Sequence, residues 1–167
     1  MDTKTGRELA GLAVMTLTGG ERLGRIHDTI FHSRTGHVTG FTVDPGGLLA
    51  RHKYLAVAAV QSIGADALTI TAADVLLDNP PASDPAEISS KSLDGRLVLN
   101  QMGTAVGKVS DVVVDTAALA ITSILLGTGL LDNVLHGRPA VPFSFIQAIG
   151  ADSVIVSNDY DPKNPPV

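Results

Sequence analysis

The chain repeats itself, and that limits the folds open to it more than any other feature. Gly20, Gly24, Arg25, Ile26 and Asp28 recur 83 positions later as Gly103, Gly107, Lys108, Val109 and Asp111. Val14 and Val98 precede these blocks at a spacing larger by one residue. Further on, Val60-Gln61-Ser62-Ile63-Gly64-Ala65-Asp66 returns as Ile146-Gln147-Ala148-Ile149-Gly150-Ala151-Asp152, and Gly47-Leu48-Leu49 resembles Gly129-Leu130-Leu131. The blocks keep their order while the offset drifts, which is what small insertions in connecting loops produce. A single ancestral unit has been duplicated.

Residues 6–77 form the first copy and 90–158 the second. The stretch 78–89, with prolines at Pro80, Pro81 and Pro85, reads as an extended linker, and 159–167 as a Pro-rich tail expected to fray. Within the first copy, strands are expected at 12–17, 25–32, 38–44, 54–56 and 67–71. In the second they fall at 97–99, 108–115, 121–126, 139–141 and 153–157. Ser33-Arg34-Thr35-Gly36 reads as a hairpin loop whose glycine supplies a positive φ. Residues 56–63 and 142–149 each read as a single helical turn. Many short strands at near-regular spacing argue for two small antiparallel β-barrels in an all-β chain.

Composition agrees. Aromatic residues make up 4% of the chain and Trp is absent, so the core is built from aliphatic residues, many of them the β-branched kind that suit strands. The net charge is −5; residues 1–83 carry seven Lys/Arg against eight Asp/Glu, and residues 84–167 carry five against nine. Neither copy has the concentrated basic surface that phosphate neutralisation needs, so nucleic acid is not expected as a partner. There is no cysteine, which removes disulfides, thiolate nucleophiles and Cys-ligated zinc. The N-terminal residues lack an apolar signal-peptide core, and no apolar run approaches membrane-helix length. A cytoplasmic location is the expectation.

Gly-Arg-Ile-His-Asp (24–28), Gly-Gly-Leu-Leu (46–49) and Val-Gln-Ser-Ile-Gly-Ala-Asp (60–66) together resemble the PRC-barrel domain family. The second copy is closer, with Gly-Lys-Val-Ser-Asp (107–111), Gly-Leu-Leu (129–131), Ala-Val-Pro-Phe-Ser (140–144) and Ile-Gly-Ala-Asp (149–152). The first copy departs from the pattern at Ala56, where a proline is usual. The resemblance implies an all-β barrel of about 80 residues per copy and no shared active site; the chain looks like a tandem, stand-alone member. Family members include a ribosome-maturation protein, which makes an RNA- or ribosome-associated role an alternative by analogy alone.

Gly24, Gly107, Gly64 and Gly150 read as structural turn residues. Asp28 and Asp111 could be paired carboxylates, but are read as acceptors for backbone N–H groups at a bulge or loop. His32 and His37 flank a hairpin loop and could face each other; His27 is expected on the opposite strand face, which leaves two candidate ligands and no third. No metal or cofactor is expected, and neither Gly-x-Ser-x-Gly nor a P-loop is present. Leu48, Leu49, Leu130, Leu131, Val134 and Leu135 lie in Gly-rich loops. They are expected either to fold back and plug the barrel ends, the favoured reading, or to offer an apolar patch to a partner. The function expected is therefore a non-catalytic protein-binding or assembly module, with a homodimer as its form. A small-ligand or metal sensor, using His32 and His37 or a cleft between the barrels, is the alternative.

Overall fold

The computed structural model describes residues 2–127 and 139–161. The first copy contains β1 (Thr3–Thr5), a helical turn α1 (Gly6–Leu9), β2 (Ala13–Thr16), β3 (Arg22–His32) and β4 (Val38–Asp44). It ends with β5 (Lys53–Ala56), β6 (Val60–Ile63) and β7 (Ala67–Ile70). The second repeats the order as β8 (Glu87–Ser89), a 3₁₀ turn at Ser90–Leu93, β9 (Leu97–Asn100), β10 (Ala105–Asp115) and β11 (Ala120–Gly127). It closes with β12 (Ala140–Pro142), β13 (Ile146–Ile149) and β14 (Ser153–Val156).

Two all-β sheets of seven strands result, with paths β5-β4-β3-β2-β7-β6 and β12-β11-β10-β9-β14-β13. The two ends of each path are consecutive in the chain. Only the 3₁₀ turn Val57–Ala59 separates β5 from β6, and Phe143–Phe145 separates β12 from β13. Each sheet must therefore curl until its edges meet, which makes the barrel. Pairing is antiparallel apart from β2–β7 and β9–β14, which run parallel. The antiparallel expectation is corrected there: a parallel pair needs a connection longer than a hairpin, and the intervening strands supply it.

The segments read as single helical turns are turns only at their starts; the rest is β6 and β13, paired with β7 and β14. Ala56 sits at φ −68°, ψ 142° and Pro142 at φ −57°, ψ 142°. The first copy thus enters its turn with the same backbone although it lacks the proline.

The central strands explain how the copies join. β3 and β10 are eleven residues each, about 36 Å of extended chain. β2 pairs only with residues 22–25 of β3, and β9 only with 105–108 of β10. The overhanging edge would expose unpaired N–H and C=O groups. Each copy fills the other's overhang. β8, which leads into the second copy, pairs with Ile30–His32 of β3, and β1, which leads into the first, pairs with Val113–Asp115 of β10. The stretch read as linker therefore ends in a strand.

The exchange extends to the hairpin loops. The Ser33 N–H donates to Ala86 (2.8 Å) and the Thr116 N–H to Asp2 (2.9 Å); the Val38 N–H donates to Leu119 (2.9 Å) and the Ile121 N–H to Gly36 (2.8 Å). These pairs are related by the sequence repeat, so the copies sit about a pseudo-two-fold axis. Gly36 takes φ 76°, as its hairpin loop requires, whereas its counterpart Leu119 takes φ 53°, a conformation that L-residues other than Gly, Asn and Asp adopt only at some cost.

Burial follows the same plan. Leu9 and Leu93, one on each exchanged arm, are fully buried, and the apolar side chains of both copies form one continuous cluster. Tyr160, in the tail expected to fray, is buried in it at 4% exposure. Its ring meets Phe145 edge-on at 6.1 Å, and its hydroxyl donates to the Ala140 carbonyl at 3.5 Å.

Candidate functional site

Gly24 and Gly107 lie within β3 and β10, paired with Val14 and Val98, at φ 153° and 155°. A Cβ on Gly24 would meet the Asp44 carbonyl oxygen, so close backbone approach adds to the conformational demand. Gly64 and Gly150 close the β6–β7 and β13–β14 turns, each donating its N–H at 2.9 Å, to Ala67 and Ser153.

Both strands slip register by one residue just before the repeated aspartates, between Ile26 and Asp28 and between Val109 and Asp111. A bulge leaves backbone donors unpaired, and the carboxylates take them. Asp28, 8% exposed, accepts from the Thr29 N–H at 2.8 Å. It also reaches across the seam, accepting from the Ser90 hydroxyl at 2.8 Å and the Lys91 N–H at 3.2 Å. Asp111 accepts from the Val112 N–H at 2.8 Å and, across the seam, from the Arg7 N–H at 3.3 Å. Each aspartate takes donors from the arm of the other copy, and Ser90, which donates to Asp28, also lies beside Gly6 next to Asp111.

Their partners are short helical turns that the sequence reading missed. Thr5 opens α1 with a capping box: the Glu8 N–H donates to the Thr5 hydroxyl at 3.1 Å, and the Thr5 N–H to the Glu8 carboxylate at 2.7 Å. Ser89 does the same half-job for the second turn, accepting from the Ser92 N–H at 3.3 Å. The Thr-x-x-Glu spacing was a readable signal for α1. Beside Asp111 the seam opens into a cavity of about 260 Å³, lined among others by Gly6, Arg7, Ser90 and Ser110.

The histidines are arranged otherwise than the sequence suggested. The Arg34 and Thr35 N–H groups donate to Nδ1 of His32, whose Nε2 lies 3.8 Å from Asp84. His37 is exposed, and among the described residues no group of three or more potential ligands comes together. Two register slips in β3 break the alternation from which His27 was placed opposite His32. His27 instead stacks on His52, ring centroids 3.9 Å apart, with the Lys91 ammonium 3.4 Å from its Nδ1. Burial first, then the Lys91 and His52 charges, hold the His27 pKa below the usual histidine value, with Asp28 and Asp44 opposing. A neutral imidazole accepting from lysine fits that contact.

Leu48 and Leu49 are at 105% and 98% exposure. The plug reading is corrected for this pair. Gly46 and Gly47, at φ 89° and 101°, swing the loop outward, so the leucines reach away from the barrel instead of into it. Leu130, Leu131, Val134 and Leu135 lie outside the described residues.

No helix among the described residues is long and apolar enough to cross a membrane. No curated protein matches the chain. The family model for the PRC-barrel domain matches it twice, over residues 1–77 and 85–162. Both matches reach back over β1 and β8, the exchanged strands that lead into each copy. The chain belongs to the PRC-barrel domain family and carries two of its domains in tandem.

Proposed function

We propose that this chain is a non-catalytic protein-binding and assembly module that works in the cytoplasm and pairs with a second copy of itself. The observation that carries this reading is the adjacent pair Leu48-Leu49, held fully in solvent at the tip of a double-glycine loop. Burying two leucines is worth roughly 3–6 kcal/mol, which falls at or below the range of rigid-body costs of association. A two-fold homodimer uses the same patch twice, giving roughly 6–12 kcal/mol from these side chains alone. A second copy brings its own Leu48-Leu49 pair as the apolar surface that covers the first, so the chain supplies both halves of such a contact.

The non-catalytic reading is supported by how the repeated polar residues are engaged. Asp28 and Asp111 hold backbone donors at bulges, which leaves them badly placed as a general acid and base. The acidic balance in both halves argues for a protein partner over nucleic acid. Light scattering after size exclusion tests the proposal. The wild type should run as a dimer at micromolar concentration, and Leu48→Ser/Leu49→Ser as a monomer with an unchanged far-UV spectrum. A wild type that stays monomeric across that range would overturn the homodimer.

A further inference from the structure

The cavity beside Asp111 is lined from both copies, by Gly6 and Arg7 of one arm, by Ser90, Lys91 and Asp94 of the other, and by Asp111 itself. Ser90 fills the space next to Asp28 and donates its hydroxyl to that carboxylate at 2.8 Å. The counterpart of Ser90 is Gly6, which has no side chain to offer Asp111; even a Cβ there would stand 2.7 Å from the Asp111 carboxylate. The counterpart of His27 is Ser110, so a ring is likewise missing on this side. Asp111 is left with two backbone donors where Asp28 has three in all.

The wall is rich in acceptors. The Ser110 hydroxyl donates to the Leu125 carbonyl (3.2 Å) and the Ser90 hydroxyl to Asp28, so both serine oxygens keep only lone pairs to present. Asp94 adds a second carboxylate. On the cationic side, Lys91 is directed to His27, whereas Arg7 uses one guanidinium nitrogen on the Ser110 carbonyl at 3.3 Å and keeps its other donors. We infer that this cavity is a binding site for a small zwitterion of amino-acid type. Its ammonium sits among Asp111, Asp94 and the serine oxygens, and its carboxylate on Arg7. Sites of this kind favour the junction between two domains.

Calorimetric titration of the full-length chain with glycine, β-alanine and γ-aminobutyrate, which space the two charges differently, tests this; butylamine and butyrate are the single-charge controls. One saturable site is expected for at least one zwitterion, with both controls about tenfold weaker or more. Arg7→Gln, at an exposed position, should lower zwitterion affinity to that of butylamine. The inference is overturned if none of the three zwitterions binds, if butylamine binds as tightly as they do, or if Arg7→Gln leaves the affinity unchanged.

Discussion

Where the two arms meet, Asp28 gathers three donors, two of them from the opposite copy, while its repeat counterpart Asp111 gathers two and borders a cavity. The duplicated sequence supplies the same carboxylate at the same bulge in both places. What differs is the arm that arrives from the other copy: Ser90-Lys91 at Asp28, Gly6-Arg7 at Asp111. Ser90 gives Asp28 a hydroxyl donor where Gly6 gives Asp111 none, and His27 carries a ring where Ser110 does not.

The largest test asks whether the two arms are equal in packing, as their complete burial indicates. Leu9→Ala and Leu93→Ala should each cost about 2–5 kcal/mol, measured by urea unfolding, and should agree with each other to within about 1 kcal/mol. Because the core is one cluster, each variant should still unfold in a single transition. Two transitions in either variant would mean that the copies fold as separate units.

A smaller effect should separate the two aspartates. Asp28→Ala leaves the buried Thr29 N–H and two cross-seam donors unmet, at about 2–3 kcal/mol, whereas Asp111→Ala should cost nearer 1 kcal/mol. Equal losses would mean that the third donor at Asp28 adds nothing to stability. The smallest effect is the pH dependence that His27 contributes. His27 has its folded pKa below the unfolded value of 6.5, so on acidification the unfolded chain takes up the proton first. Stability is then complete above about pH 6.5 and declines as pH falls below it. His27→Ser, which copies Ser110, should flatten that slope in thermal unfolding between pH 7 and 5 relative to the wild type.

Much of the barrel is written locally. β4 falls on the residues read as a strand, 38–44, because turn residues bracket a run of β-formers. β6 and β13 were hidden because an apolar run after a tight turn reads equally as helix or strand. The site was less legible. Aspartate at a repeated position indicates a backbone acceptor, but not which backbone, and the His27–His52 stack joins a strand to a loop 25 positions away. Strand alternation alone could not place those rings once the register slipped.

From its own residues the chain settled that it is a duplicated all-β unit with an aliphatic core, because repeats, turn glycines and β-branched runs act over a few neighbouring positions. Only the tertiary structure decided that the copies trade β1 and β8. Thr3–Thr5 and Glu87–Ser89 are three residues long and carry no periodic pattern of their own. Their conformation is imposed by the unpaired edges of β3 and β10, which lie more than fifty residues away in the chain.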